Sequence, residues 1–96
     1  MKLLLIVYSG NDPEIVPVLL DQHQVAGWTE LAGVHGAGAT GRREGTRAWP
    51  GDSALFFTAV DAAKADELAN ALATAARALP DGDRLHVTVL PVERFF

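Results

Sequence analysis

The sequence predicts an α+β domain with the element order β-α-β-β-α-β, and three observations support this order. Four short apolar segments have the length and residue types of strands. Two longer segments carry apolar residues at helical spacing, and each follows a turn sequence. All six fit within 96 residues, which is the size of one domain with a single small core. We therefore treat residues 1–96 as one domain.

The four predicted strands differ in their apolar patterns. The first is apolar throughout, as expected of a buried strand, whereas the last alternates apolar and polar residues. The expected strands cover residues 3–8, 28–35, 54–60 and 84–92.

The two predicted helices begin at capping residues. Asp12 is expected to cap the first helix with Pro13 in its first position, although Pro17 would also serve as a start. Asp61 is expected to cap the second helix, and Pro80 with Gly82 marks the turn that follows it. The helices are expected to cover residues 14–24 and 61–79.

This element order is that of the ferredoxin-like fold, an antiparallel four-stranded sheet with two helices on one face. Both faces of the first strand are apolar, so the face without helices needs a partner, most simply further copies of the chain. Chain ends folding over that face are the alternative. Leu4, Ile6 and Phe56, or their alternates on the same strands, are expected to line the contact between copies.

Composition excludes several classes of function. The chain has no cysteine, hence no disulfide, thiolate metal site or thiol nucleophile. Its net charge of −4 provides no basic face for general nucleic-acid binding. A first strand that starts at Lys2 leaves no room for a signal peptide, and no apolar run reaches membrane-spanning length, so we expect a cytoplasmic protein. No nucleophile–base pair or carboxylate pair stands out, so we expect no enzymatic activity.

The segment from residue 36 to residue 53 differs from the rest of the chain. It contains five of the nine glycines and three arginines but no Leu, Ile, Val or Phe. Its net charge is +1 within an acidic chain. We predict a flexible loop whose backbone amides and guanidinium groups bind a small anion or a partner surface. A solvated hairpin whose arginines contact only water remains the alternative.

Two motifs invite a more specific interpretation. The run from Gly36 to Gly41 fits G-x-G-x-x-G, but no helix or parallel βαβ unit is expected after it, so a Rossmann site is excluded. His35 and His86 are candidate metal ligands on the two outer strands, although they are distant within one chain and show no ligand spacing. We therefore predict no metal site and keep both histidines as weak candidates.

Three short motifs, in this order on this topology, resemble the PII signal-transduction superfamily over nearly the whole chain. The sequence GWTE at residues 27–30, followed by GAG at 36–38, is similar to the start of that family's regulatory loop. Asp81-Gly82 is similar to part of its phosphate-contacting turn. LPVER at residues 90–94 is similar to the end of its last strand.

The resemblance implies a divergent PII-like regulatory protein that forms a homotrimer. It implies an adenine nucleotide (ATP, ADP or AMP) or another small anionic ligand in the clefts between subunits, and a loop that acts on a membrane transporter or an enzyme. The implied ligand-binding residues are Thr29, Gly36, Gly38, Arg42, Arg43, Asp81 and Gly82. Arg47 and Trp49 are the implied partner-docking residues.

The sequence departs from the PII family pattern at two places. Its loop contains no tyrosine, which excludes the tyrosine modification of classical members, and Asp83 stands where the family usually has lysine. Two other functions remain open at this point. One is a metal-responsive trimer linked to cation efflux, and the other is a small enzyme of the α+β-barrel kind, because fold does not determine function.

Limited trypsin digestion of the free protein is expected to cut first after Arg42 or Arg43. Ordering the segment around them costs about 1–2 kcal/mol per residue, with little apolar burial to offset that cost. Mass spectrometry of the fragments locates the first cut. Resistance of the native protein to trypsin would contradict the expected mobility.

Overall fold

The computed structural model describes residues 1–38, 41–43 and 52–96. Its elements, in chain order, are β1 (Lys2–Gly10), α1 (Ile15–Gln22), β2 (Thr29–Ala32), β3 (Gly36–Gly38), β4 (Gly41–Arg43), β5 (Asp52–Val60), α2 (Ala62–Arg77) and β6 (Arg84–Pro91).

The main sheet has the strand order β2-β5-β1-β6, and every neighbouring pair is antiparallel. With α1 and α2 on one face, this arrangement confirms the predicted ferredoxin-like α+β fold. β1 lies in the centre of the sheet, where Leu5 pairs with Phe57 of β5 and with Thr88 of β6.

The core lies between the sheet and the two helices. Alternate residues of β1 and β5 point toward the helices, because successive side chains of a strand point to opposite faces. α1 contributes Val16 and Leu20, which are fully buried. The fully buried side chains from the other elements include Leu4, Ile6, Tyr8, Phe56, Leu68 and Leu72.

The face of the main sheet opposite the helices, which we call the open face, is largely apolar. Leu4, Ile6 and Phe56 are completely buried against the helices, so the expectation that they line a contact between copies is wrong. Their alternates on the same strands lie on the open face instead. The register assigns the following apolar residues to the open face: Leu3, Leu5, Val7, Leu31, Leu55, Phe57 and Leu90.

α1 begins later than Asp12 or Pro13 and earlier than Pro17, which corrects both predicted starts. Its N-cap is Glu14, and no side chain caps it. The first helical hydrogen bond runs from the Val18 N–H to the Glu14 carbonyl, at 3.0 Å. Pro17 is tolerated because it is the third helical residue, where an N–H would have no partner within the helix.

α2 begins as predicted, because the N–H of Lys64 donates to the Asp61 carboxylate at 2.8 Å. It ends at Arg77, two residues before the expected end.

The chain between β2 and β5 is more regular than predicted. β2 ends at Ala32 and not at His35, because Gly33 takes a left-handed φ of 65° that interrupts the extended backbone. β3 and β4 then form a two-stranded antiparallel hairpin, and Ser53 belongs to β5. Among the described residues, the predicted loop over residues 36–53 thus contains this hairpin and the start of β5. Its flexibility stays a prediction. Residues 39–40 and 44–51 lie outside the part of the chain that the structure describes.

A polar contact joins the C-terminal end of α1 to α2. The Lys64 ammonium donates to the carbonyl of His23, the C-cap residue of α1, at 2.8 Å. It also donates to Glu67 Oε2 at 3.1 Å, and His23 Nδ1 lies 2.6 Å from the same oxygen. A cation at this position complements the partial negative charge of a helix C-terminus.

Replacing Glu67 with Gln is expected to destabilise the protein at neutral pH but not in acid. Hydrogen bonds from His23 and then from Lys64 hold the pKa of Glu67 below its ordinary value of 4.5. A lowered pKa in the folded state means that the carboxylate contributes stability above pH ~4.5, and this contribution is lost as the pH falls through the folded pKa. Urea denaturation of both proteins from pH 3 to pH 7 measures the difference.

Glu30→Gln, which removes a carboxylate from the exposed strand β2, is the control. A stability difference between wild type and Glu67→Gln that stayed constant across this pH range would contradict the assigned hydrogen bonds.

Candidate functional site

Four ends of the main sheet's strands meet at one edge, which we call the loop edge. β1 ends there at Gly10 and β2 at Ala32, while β5 and β6 begin there at Asp52 and Arg84. The hairpin of β3 and β4 leaves the sheet at this edge, between β2 and β5. The turn before β6 reaches the same edge, so segments that are distant in sequence are brought to one side of the molecule.

The turn at residues 80–83 presents exposed backbone at the loop edge. The Asp83 N–H donates to the Pro80 carbonyl at 3.1 Å, which closes the turn. Gly82 has a positive φ of 93°, whereas the φ of Asp81 is not positive. Positive φ at the third position alone is the pattern of a type II turn, which requires glycine there.

The Tyr8 hydroxyl connects this turn to the end of β1. Tyr8 is fully buried, and its hydroxyl donates to Asp83 Oδ2 at 3.2 Å. The Tyr8 hydroxyl oxygen also accepts a hydrogen bond from the Asp12 N–H at 2.8 Å. One hydroxyl thus contacts the turn before β6 and the segment after β1.

Gly10 makes room for this connection. A Cβ at residue 10 would lie 2.4 Å from the Tyr8 hydroxyl oxygen and 2.5 Å from the Asp83 carboxylate. Side-chain carbons do not approach other atoms this closely, so glycine is the residue that fits without displacing either group.

Burial is the main cause that raises the pKa of Tyr8 above its ordinary value of 10.0. The nearby negative charge of Asp83 and the hydrogen bond to it also raise this pKa, while the Asp12 N–H lowers it. The phenol is therefore neutral near pH 7 and can donate to the carboxylate.

The open face becomes polar toward the loop edge. Ser9 pairs with Ser53 on one side and with Arg84 on the other, and the two serine hydroxyls lie 2.8 Å apart. Both serines are buried. The Arg84 guanidinium donates to the Asp83 carbonyl at 2.9 Å, so it also holds the turn.

The structure places the sequence-predicted ligand residues at several positions. Gly36 and Gly38 lie in β3, opposite Arg43 and Gly41 of β4, and Arg42 lies between these two β4 residues. Asp81 and Gly82 are exposed in the turn. Thr29 begins β2, at the end of that strand away from the loop edge, and pairs with Phe57.

The hairpin and the turn lie at opposite sides of the sheet within one chain. The hairpin follows outer strand β2 and the turn precedes outer strand β6. Three strand spacings of ~4.8 Å separate these strands, which gives about 14 Å. One chain therefore does not join the two groups of predicted ligand residues into one compact pocket.

Some of the predicted ligand and partner-docking residues lie where the structure is not described. The partner-docking residues Arg47 and Trp49 lie outside the described residues, as do the side chains of Arg42 and Arg43.

His35 and His86 are both exposed, and His86 pairs with Val7 in the main sheet. Among residues 1–38, 41–43 and 52–96, no three His, Asp or Glu side chains are grouped so that they could hold a metal ion.

Sequence reasoning missed four residues that build the loop edge: Tyr8, Gly10, Ser9 and Arg84. Their sequence context indicates only a strand or a turn. The Tyr8–Asp83 contact joins residues 75 positions apart, so no local motif reveals it. A glycine next to a strand end was the one available signal of a close approach.

Neither a protein-family model nor a curated protein matches the sequence. Solved structures do match it, among them several of CPII, a nitrogen regulatory PII-like protein from Thiomonas intermedia K12. The structure bound to ADP, AMP and bicarbonate matches with a TM-score of 0.71 and 24% identity, over 97% of this chain and 88% of CPII.

Two further CPII structures agree with this match. CPII bound to ADP and bicarbonate gives a TM-score of 0.70 and 25% identity, over 97% of this chain and 88% of that one. The apo form gives 0.64 and 20% identity, over 95% and 89%.

The described helices include none long and apolar enough to cross a membrane. Because both chains are covered almost completely by these matches, the similarity extends to the whole arrangement of strands and helices. The chain has the PII-like fold.

Proposed function

We propose that the chain is a single-domain PII-like regulatory protein of the cytoplasm that forms a homotrimer and binds an adenine nucleotide between its subunits. Binding changes how the hairpin and the segment after it contact a partner, a membrane transporter or an enzyme. The observation that carries the proposal is the whole-chain likeness to CPII, which has been solved with ADP and AMP. A regulatory role without enzymatic activity agrees with the likeness to CPII, which is itself a regulatory protein.

The open face supports the homotrimer. Its central residues are apolar, and Val7 and Leu31 keep 37% and 49% of their surface exposed in one chain. Apolar residues in contiguous rows across a sheet are costly to leave in water, so burial against further copies is favoured.

The loop edge supports a ligand site between subunits. The outer strands next to the hairpin and the turn, β2 and β6, lie about 14 Å apart across the three strand spacings of one sheet. In a closed ring the outer strands of neighbouring sheets come together, so the hairpin of one copy can face the turn of the next. Turn amides and the arginines of the hairpin then contact a phosphate group from two sides.

Replacing Val7 with Asp is expected to convert the trimer into a folded monomer. Val7 lies in the middle of the open face, between Leu55 and His86, and a charge there would be buried at the contact between copies. Light scattering at micromolar concentration measures the mass, and circular dichroism verifies the fold.

Val18→Asp is the matched control, because Val18 is 50% exposed on α1 and away from the sheet face. This variant should remain a trimer. A wild-type mass of 10 kDa, that of one chain, would reject the trimer outright.

Replacing both Arg42 and Arg43 with Gln is expected to abolish measurable nucleotide binding. A charge-assisted hydrogen bond contributes roughly 1.5–3 kcal/mol, so each useful arginine accounts for about ten- to a hundredfold in affinity. Calorimetry with ATP, ADP and AMP, with and without bicarbonate, measures this loss. The trimer and its melting temperature should stay nearly unchanged, because charged arginine side chains rarely form part of an apolar core.

Lys2→Gln removes a positive charge at the far end of β1 and should bind like the wild type. If the double variant binds as tightly as the wild type, the phosphate site lies at the Asp81-Gly82 turn and β6 instead. If the wild type binds none of the nucleotides, nucleotide binding is rejected and the arginine segment is left with partner docking alone.

A further inference from the structure

We infer that the Tyr8 hydroxyl is the positioning group of the turn at residues 80–83, which it holds in place from inside the protein through Asp83. The inference rests on the proposed function where it concerns ligand affinity. It rests on the structure alone where it concerns the order of the turn.

Packing does not account for a tyrosine at this position. The ring is completely buried with Leu4, Ile6 and the helix residues, where a phenylalanine would fill the same space. The hydroxyl adds two hydrogen bonds, one accepted from Asp12 and one donated to Asp83. These bonds fasten the segment after β1 and the turn before β6 to the central strand.

The absence of a side chain at Gly10 is a second, independent observation. A methyl group there would collide with both the Tyr8 hydroxyl and the Asp83 carboxylate. Gly10 does not have a positive φ, so its backbone conformation does not require glycine. The space needed by Tyr8 and Asp83 does require it. The cluster is therefore built around the Tyr8–Asp83 contact and not around β1 alone.

The turn itself lies at the surface of the protein. Asp81 and Gly82 are exposed, and Asp83 is only half-buried. The hydrogen bond between Asp83 and Pro80 closes the turn, and Arg84 of outer strand β6 holds the Asp83 carbonyl. The bond from Tyr8 adds a tie between the turn and the central strand. The bond from Tyr8 therefore orders the turn, and an ordered segment binds a ligand more tightly than a mobile one, because less freedom is lost on binding.

The charged groups that face the hydroxyl are Asp83 from the turn and Asp12 from the segment after β1. Both are acidic, so they oppose ionisation of the phenol in the same direction as burial does. Since Tyr8 is the only tyrosine of the chain, the ultraviolet absorbance of tyrosinate reports on this hydroxyl alone.

The test compares wild type with Tyr8→Phe and Asp83→Asn. Hydrogen exchange of the amides at residues 81–84 should become at least about tenfold faster in both variants, while exchange in α1 and α2 stays the same. In Asp83→Asn the tyrosinate absorbance should appear at a lower pH than in wild type, because a negative charge has been removed. Tyr8→Phe should weaken ADP binding by about tenfold, the value of one ordinary hydrogen bond near its upper limit.

Thr58→Val is the matched control. Thr58 also has a buried hydroxyl, which donates to the Gly27 carbonyl at 2.6 Å, but this bond holds the segment before β2. Its loss should leave hydrogen exchange at residues 81–84 and the tyrosinate titration as in wild type. If Tyr8→Phe fails to fold, exchange and titration of Asp83→Asn decide the question.

Unchanged hydrogen exchange at residues 81–84 in Tyr8→Phe, or in Asp83→Asn if Tyr8→Phe is unfolded, overturns the inference. If the wild type binds no nucleotide, the proposed function fails, and the exchange data alone decide whether Tyr8 positions the turn. If nucleotide binds and exchange accelerates but affinity is unchanged, the turn is not part of the ligand site and its positioning role for the ligand is rejected.

Discussion

Two helices can cover only one face of a four-stranded sheet, so the apolar residues of the other face must be buried in some other way. The rest of this structure depends on how that happens. β1 lies in the centre and is apolar on both sides: Leu4 and Ile6 are buried under the helices, and Leu3 and Leu5 lie on the open face. A lone chain leaves that second surface partly in water. In the proposed trimer, further copies bury this surface, and the outer strands of different copies come together. The same constraint therefore favours an oligomer and a site between its subunits.

The main architecture could be predicted because its signals are local. The apolar run of β1, the Asp61 cap of α2 and the turn at Gly82 each depend on a few neighbouring residues. The face assignment was less certain, since a strand that is apolar on both sides does not reveal which side the helices cover. The α1 start was wrong for a related reason. A proline fits any of the first helical positions, so neither Pro13 nor Pro17 marks one start.

The candidate site was only partly predictable. Gly36, Gly38, Asp81 and Gly82 stood out by composition and by resemblance, and the structure places all four at the loop edge or in the hairpin that leaves it. Thr29 lies at the opposite end of β2, away from them. The Tyr8–Asp83 contact was missed because it spans 75 positions and depends on the register of β1 with β6. Such a contact follows from the assembled sheet and has no signature in either segment alone.

Placing a ligand between subunits has a thermodynamic consequence. A ligand that contacts the hairpin of one copy and the turn of the next binds only the assembled form, and by mass action it stabilises that form. Assembly of the proposed trimer in turn brings the two halves of the proposed site together. In this order of events Tyr8 acts first, because its hydrogen bonds order the turn within each chain before the chains associate. Order in the turn, ligand affinity and stability of the oligomer are then linked, and a change in one is transmitted to the others.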